Sequence, residues 1–139
     1  MNKFNEIRPI ALGLAIKNGK VLVSEGYDKF KKQTFYRCLG GGIEFLEKSD
    51  EALKREFMEE LNINISVKNF LGFTENIFNF EGKDAHELVF MYSIDIKNCD
   101  YKDEYQIIDE PNNIAKWIDI NKFKSEDLII YPKEIIKYL

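Results

Sequence analysis

The chain has 139 residues, 45% of them hydrophobic, which suits one domain with a buried core and excludes a disordered chain. Its net charge of −4 at pH 7 argues against a surface that captures nucleic acid broadly, and a small anionic substrate would need a metal ion to enter its site. Two cysteines, Cys38 and Cys99, lack CxxC spacing and are too few for a disulfide framework, so we expect reduced thiols in a cytoplasmic protein.

The N-terminal part of the chain predicts a β-hairpin followed by a third strand. The apolar residues 9–16 and 21–23 flank Asn18-Gly19, a dipeptide that accepts the positive φ of tight hairpin turns. The first of these runs is too short for a signal peptide, and no run in the chain approaches the length of a membrane span. Residues 25–32 are polar and predict an exposed loop, whereas residues 34–39 predict a strand.

The third predicted strand leads into three consecutive glycines, Gly40 to Gly42, and then into a helix. Ser49 or Asp50 is the expected N-cap of this helix, because both side chains can accept a hydrogen bond from the first turn. Asn62 stands where the helix should stop, since asparagine tolerates the left-handed conformation better than most residues.

Two faces of the predicted helix differ in chemistry. An apolar stripe with a spacing of four is formed by Leu53, Phe57 and Leu61. Beside it, carboxylates converge from Glu56, Glu59 and Glu60. Like charges gathered in this way repel one another unless a cation lies among them, and all-oxygen ligands suit a hard ion such as Mg²⁺ or Mn²⁺. We therefore expect a metal site for phosphates in a cleft that borders the buried stripe.

The second half of the chain predicts further strands and a closing helix. The predicted elements are one long or broken strand at 64–80, a turn at 81–84, a strand at 87–96, a polar loop or lid at 98–110, a strand at 114–118 and a helix at 132–139. A helix inserted between hairpins suggests a mixed sheet with helices on both faces, in an α/β or α+β layered domain.

The spacing around the glycines and the helix resembles the Nudix box, Gly-x5-Glu-x7-Arg-Glu-U-x-Glu-Glu-x-Gly-U, where U is a bulky apolar residue. The matching residues are Gly41, Glu47, Arg55, Glu56, Phe57, Glu59, Glu60 and Ile63. Three positions depart from the usual sequence. Asn62 replaces the late glycine, Leu46 stands where a glycine often precedes the first glutamate, and Leu39 replaces a common proline.

The resemblance implies a single Nudix domain over residues 1–139, folded as an α/β/α sandwich around a central mixed β-sheet. It implies a hydrolase that cleaves a pyrophosphate bond in a nucleoside diphosphate derivative, with Mg²⁺ or Mn²⁺ as cofactor. The implied metal ligands are Glu56, Glu59, Glu60 and a backbone carbonyl at Gly40 or Gly41. Glu47 and Arg55 would form an ion pair that supports the site, and substrate would meet Arg37, Gly41 and Gly42.

Several points stay open at the level of sequence. The general base is one of them, with Glu56 as a candidate, and a further acid that completes the site could be Glu87, Asp103 or Glu104. The substrate could be a nucleoside triphosphate, a nucleotide sugar or a capped RNA end, and a homodimer is possible because dimers are frequent in the family. The alternative function is a catalytically silent Nudix-like module that senses a nucleotide, and a plain interaction domain with an acidic helix is the second rival.

Overall fold

The computed structural model describes residues 5–110 and 112–139, which form a mixed β-sheet between two helical layers. The strands are β1 (Ile7–Lys17), β2 (Lys20–Asp28), β3 (Gln33–Gly42), β4 (Ile65–Phe80), β5 (Lys83–Ile96), β6 (Glu104–Gln106), β7 (Ile114–Asp119) and β8 (Ile130–Tyr131). The helices are α1 (Ser49–Leu61) and α2 (Ile120–Lys124), and 3-10 turns cover Asn98–Asp100 and Lys133–Tyr138.

The strand order across the sheet is β4-β5-β1-β3-β2-β7-β6, with β8 paired beside β3. The β1–β5 and β3–β8 pairs are parallel, and the other pairs are antiparallel. On one side, Leu53 and Phe57 of α1 pack with sheet residues such as Ala11. On the other side, Phe123 of α2 and Ile135 complete a second core. The prediction of an α+β fold with a central mixed sheet is confirmed.

Local turn chemistry explains the elements that were predicted correctly. Asn18 and Gly19 have φ of 54° and 75°, so both central residues of the β1–β2 turn take the positive φ that this hairpin needs. Asn62 ends α1 with φ 55° and ψ 42°, and its N–H bonds to the carbonyl of Met58. The helix begins differently from the prediction, because Lys48 is the N-cap and the Ser49 hydroxyl shares a hydrogen bond with Tyr92.

Long-range pairing overrode several other predictions. The loop predicted at 25–32 was wrong in its first half, because β2 continues to Asp28 by pairing with β3. The turn at 81–84 is shorter than predicted, since β5 begins at Lys83. The polar segment 98–110 contains the strand β6, and the closing helix is a 3-10 turn. Both α2 and β8 were missed, and each is only a few residues long.

The packing of α1 positions the motif predicted from sequence. This helix lies against β1 and β3, so its acidic edge comes next to the glycines at the end of β3. Among the described residues, no helix is both long enough and apolar enough to cross a membrane.

Candidate active site

Arg55 is the centre of a polar network that joins α1 to the loop before it. Its Nε and Nη2 donate to the two carboxylate oxygens of Glu47 at 2.8 and 2.9 Å, and Nη2 also donates to the carbonyl of Gly42 at 2.8 Å. Hydrogen bonds from Arg55 in particular hold the pKa of Glu47 down to about 2. The expected ion pair is therefore present, and it fastens the end of β3 and the following loop to the helix.

The remaining guanidinium nitrogen of Arg55 reaches the acidic face of α1. Its Nη1 donates to Glu56 at 2.9 Å and to Glu59 at 3.2 Å. The Glu56 side chain is mostly buried, with 15% exposed, whereas 57% of the Glu59 side chain is exposed. Arg55 thus binds both carboxylates, of which Glu56 is the more buried and Glu59 the more exposed.

Glu56 and Glu60 line a cavity of about 310 Å³ next to β3. Burial and the neighbouring Glu56 carboxylate raise the pKa of Glu60 to about 8. Glu110 and Glu59 add to this shift through their negative charge. Glu60 is consequently a carboxyl group that needs either a proton or a nearby cation at neutral pH.

Glycine is required at the end of β3 by the close approach of its neighbours. A Cβ on Gly41 would overlap the Glu56 carboxylate, and one on Gly40 would overlap the carbonyl of Ala11. Gly40 also has a φ of 154°, in a region that side chains disfavour. The backbone of β3 and the carboxylate of α1 are in contact only because no side chain lies between them.

Two arginines face the carboxylates across the same cavity. Arg37 donates from Nη2 to Glu87 at 3.0 Å, and Glu87 is almost completely buried, with 3% of the residue exposed. Arg8 also lines the cavity, close to Gly42. The cavity therefore has cationic as well as anionic walls, as a site for a metal and a phosphate group requires.

The structure brings together only part of the predicted set. Six of the predicted residues line the cavity, namely Arg37, Gly40, Gly41, Glu56, Glu60 and Glu87. Glu47, Arg55 and Gly42 lie behind it, and Glu59, Asp103 and Glu104 lie outside its lining. Among the open candidates for a further acid, Glu87 is the one that reaches the cavity.

Sequence reasoning missed Arg8 and Glu110, which also line the cavity. Glu110 is the last residue of the predicted polar loop 98–110, whereas the open candidates from that loop were Asp103 and Glu104. Arg8 lies in β1, where the parallel register places it opposite Glu87. Only this strand pairing shows that Arg8 belongs to the site, and the sequence does not reveal the pairing because the two residues lie far apart in the chain.

The donor chemistry of the cavity fits a divalent cation. Its lining contains four glutamates, Glu56, Glu60, Glu87 and Glu110, against two arginines, which leaves two excess negative charges if all are ionised. Within residues 5–110 and 112–139, no group of three or more aspartate, glutamate, cysteine or histidine side chains is arranged so that it could hold a metal ion by itself. Mg²⁺ characteristically uses one or two carboxylates and completes its shell with water and substrate phosphate, so the pair Glu56 and Glu60 suffices.

A second cavity of about 360 Å³, which we call the aromatic chamber, shares Arg37 with the first. Its aromatic walls are Phe35, Phe78, Phe80 and Tyr131. The Phe35 ring lies 5.9 Å from that of Phe80 and 5.7 Å from that of Tyr131, measured between centroids. Lys31 and Lys133 add positive charge to the chamber. A flat ring attached to a phosphate in the first cavity would find apolar surfaces here.

The fold of this chain is similar to that of solved structures with low sequence identity to it. A NUDIX-family hydrolase from Clostridium perfringens is 20% identical, with a TM-score of 0.66 over 94% of this chain and 92% of that one. A NUDIX hydrolase from Nitrosomonas europaea is 15% identical, with a TM-score of 0.68 over 95% and 85%. A UDP-X diphosphatase is 17% identical, with a TM-score of 0.59 over 99% and 61%. A search of curated protein sequences found no match.

The sequence itself matches the family model described as NUDIX domain over residues 7–139, nearly the whole chain. The matched range contains the Arg55 network, the glycines of β3 and the cavity that they border. The chain therefore belongs to the Nudix family.

Proposed function

We propose that this chain, acting as one domain over residues 1–139, is a Mg²⁺- or Mn²⁺-dependent hydrolase of a pyrophosphate bond in a nucleoside diphosphate derivative. The observation that carries the proposal is the pair Glu56 and Glu60, which line one cavity together with Arg37 and Arg8. Carboxylates alone would repel a diphosphate, and arginines alone would bind it without activating water. The combination supports binding and hydrolysis at one place.

In this proposal Glu56 and Glu60 hold the metal together with the carbonyl of Gly40. When bound, the metal neutralises the diphosphate and lowers the pKa of the attacking water. Glu59 is a further metal ligand in this proposal, at the outer edge of the site. It lies on the same face of α1 as Glu56, and both carboxylates accept a hydrogen bond from Arg55. Its exposure predicts a smaller contribution than that of the other two acids.

The remaining groups bind and orient the substrate. Arg37 and Arg8 meet the negative charge of the diphosphate, and Gly41 lines the same cavity. The alternative role for Glu56, in place of metal binding, is that of the base for the attacking water, because it lines the cavity and Arg55 fixes its position.

The aromatic chamber would hold the base of the nucleoside. It adjoins the catalytic cavity through Arg37, whose guanidinium carbon lies 6.0 Å from the ring centroid of Phe78. Stacking on aromatic rings is tolerant of base identity, so this feature supports a nucleotide substrate without naming the base.

A substrate panel tests the proposal. Purified protein is incubated with nucleoside triphosphates, nucleotide sugars and capped RNA, with Mg²⁺ or Mn²⁺ and with chelator, beside a Glu60→Gln variant. We expect metal-dependent release of phosphorylated products that the variant loses. Turnover that Glu60→Gln leaves intact would overturn the site, and metal-dependent binding without turnover would show a nucleotide sensor.

A further inference from the structure

Arg37 lies where the catalytic cavity and the aromatic chamber meet, because its side chain lines both of them. Its guanidinium carbon is 6.0 Å from the ring centroid of Phe78 in the chamber. A substrate with its diphosphate in the cavity and its base in the chamber therefore has to pass this side chain. A free arginine side chain samples many rotamers, and holding it in one of them costs conformational entropy. The position of Arg37 consequently depends on the groups that hold it.

Glu87 is the acidic partner that holds Arg37 in the folded chain. The Nη2 group of Arg37 donates to Oε1 of Glu87 at 3.0 Å. This ion pair is well shielded from water, since 25% of the Arg37 side chain and 5% of the Glu87 side chain are exposed. A carboxylate as deeply buried as this one is costly unless a cation and hydrogen bonds compensate it. The pair therefore constrains the arginine as well as the acid.

The Glu87 carboxylate is itself fixed by the sheet around it. Strand β5 pairs with β1 on one side and with β4 on the other, and the register places Arg8 and Asn76 opposite Glu87. The Asn76 side chain donates from Nδ2 to the same Oε1 atom that Arg37 contacts, at 3.4 Å. A side chain on a strand that is paired along both edges is a rigid support for another group. Glu87 can therefore define the place of the Arg37 guanidinium.

The competing role for Glu87 is that of a third metal ligand beside Glu56 and Glu60. Within residues 5–110 and 112–139, no three acidic side chains are arranged so that they could hold a metal ion together. Glu87 already has a cationic partner, because its carboxylate is paired with Arg37. Both observations favour the arginine over a metal ion as the partner of Glu87.

We propose that Glu87 is the positioning residue for Arg37, and that it determines where the guanidinium meets the substrate diphosphate at the boundary of cavity and chamber. Glu87 accepts one of the five N–H groups of Arg37, and the other four can bind phosphate oxygens. In this role Glu87 touches neither the metal nor the substrate. The inference rests on the proposed function for the identity of the ligand, whereas the Arg37–Glu87 pair itself does not.

Calorimetric titration with inorganic pyrophosphate and Mg²⁺ tests how the two residues act together. Arg37→Ala should weaken pyrophosphate binding by about tenfold or more, the usual effect of losing a charge-assisted hydrogen bond. Glu87→Asp keeps the negative charge but withdraws the carboxylate by one methylene group, so it displaces Arg37 and should weaken binding by roughly three- to tenfold. The double variant should bind no more weakly than Arg37→Ala, because Glu87 acts only through Arg37.

Titration with Mn²⁺ alone, followed by electron paramagnetic resonance, separates positioning from metal binding. Glu87→Gln removes the charge that a metal ligand would need, yet it should change the Mn²⁺ dissociation constant by less than about threefold, whereas Glu60→Gln should raise it by about tenfold or more. Equal losses in the two variants would make Glu87 a metal ligand and overturn the proposal.

Glu25→Asp is the matched control for Glu87→Asp. Glu25 is also a hydrogen-bonded acid on a strand, since it accepts from the Tyr36 hydroxyl at 2.8 Å, but it lines neither the cavity nor the chamber. This control should bind pyrophosphate and Mn²⁺ as the wild type does. If Glu87→Asp does not fold, Asn76→Ala takes its place, because it removes a hydrogen bond to Glu87 without changing any charge. It should weaken pyrophosphate binding by less than Arg37→Ala does, and no effect would overturn the proposal.

Failure of this inference and failure of the proposed function give different results, because neither titration requires turnover. Normal pyrophosphate binding by Glu87→Asp, or effects of Glu87→Asp and Arg37→Ala that add in the double variant, would overturn the positioning role even in an active hydrolase. Coupled effects in a protein that hydrolyses no member of the substrate panel would support the positioning role and overturn the hydrolase. A wild type that does not bind pyrophosphate would overturn both.

Discussion

At the scale of single residues, the arrangement around Arg55 divides three similar acids into different roles. Glu56 and Glu60 line the cavity, whereas Glu59 is exposed and interacts with Arg55. Burial and the surrounding carboxylates raise the pKa of Glu60 to about 8, which is the behaviour of a group that awaits a cation. The spacing in the sequence treats these three glutamates alike, but in the folded chain they differ in exposure and in whether they line the cavity.

Substitution of the three acids should reveal this inequality. If Glu60 is a metal ligand as proposed, Glu60→Gln should lower kcat/KM by roughly 10²–10³-fold, because such a ligand supplies several kcal/mol of transition-state stabilisation. Glu59→Gln should cost about tenfold or less, as expected of a supporting residue. Glu51→Gln, on the exposed first turn of α1, is the control. Steady-state kinetics with Mg²⁺ measures the ranking, and equal losses for Glu59 and Glu60 would contradict it.

Glu47 makes a prediction about acid stability. Its pKa is lowered from 4.5 to about 2, chiefly by hydrogen bonds from Arg55, so the interaction stabilises the fold above pH 4.5 and is lost as pH falls towards 2. The wild type should melt above Glu47→Gln at pH 7, and the difference should shrink between pH 4.5 and 2. Thermal melts across this range test it, with Glu134→Gln as an exposed control. A difference that does not change with pH would contradict the assignment.

At the scale of elements, α1 connects the stability of the core to the position of the acids. Its stripe of Leu53, Phe57 and Leu61 is buried, and Phe57 is only 1% exposed. Because Glu56 and Glu60 flank Phe57 by one and three positions, any shift of the helix on the sheet moves both carboxylates. The same packing that stabilises the fold therefore sets the geometry of the site.

Phe57→Ala should destabilise the protein by about 3–5 kcal/mol, the usual cost of removing a buried aromatic side chain. Met58→Ala, at the next position but 38% exposed, should change stability by only about 0.5 kcal/mol. Urea denaturation followed by circular dichroism measures both. Similar losses for the two variants would show that α1 is not packed on the sheet through this stripe.

A second connection between elements joins the turn after β2 to the tip of the β4–β5 hairpin. Asp28 is buried, with 2% exposed, and accepts hydrogen bonds from the N–H groups of Phe30, Lys31 and Glu81. The N–H of Lys31 above all lowers the pKa of the Asp28 carboxyl. This contact closes one end of the aromatic chamber, because Asp28 and Lys31 also line it.

Asp28→Asn should loosen the hairpin tip, since an amide group cannot accept all three N–H groups and brings donors of its own. We expect faster hydrogen exchange at the Glu81 amide and a lower melting temperature. Asp84→Asn in the same hairpin is the control, because its side chain is exposed and accepts a hydrogen bond from the Asn79 side chain. Unchanged exchange at Glu81 would show that Asp28 does not hold the hairpin.

At the scale of the whole molecule, the catalytic cavity and the aromatic chamber adjoin one another and share Arg37. Among the described residues no other lines both, so the chamber can be altered at positions that the cavity does not use.

The chamber can be tested by comparing two strand positions. Phe78→Leu should raise KM for nucleotide substrates by about 5–150-fold, the equivalent of 1–3 kcal/mol of lost stacking on a base. Turnover of a small diphosphate without a base should not change. Phe73→Leu on the same strand is the matched control, because Phe73 is 48% exposed and lies outside the chamber lining. An equal effect of the two variants would contradict a base site in the chamber.

The sequence by itself determined the features that depend on nearby residues. The β1–β2 turn follows from Asn18-Gly19, the end of α1 from Asn62, and its buried stripe from a spacing of four. The box positions likewise identified the family, and two of the box glutamates, Glu56 and Glu60, line the cavity. These predictions hold because turn chemistry and helical periodicity act over a few residues.

Only the tertiary structure decided which groups meet in the site. The β1–β5 register places Arg8 opposite Glu87, and the packing of distant segments brings Glu110 to the cavity in place of Asp103 or Glu104. The aromatic chamber is assembled from β3, β4, β8 and the turn that follows β2, with no local signal in any one of them. Strand pairing and packing depend on residues tens of positions apart, and local periodicity carries no information about those contacts.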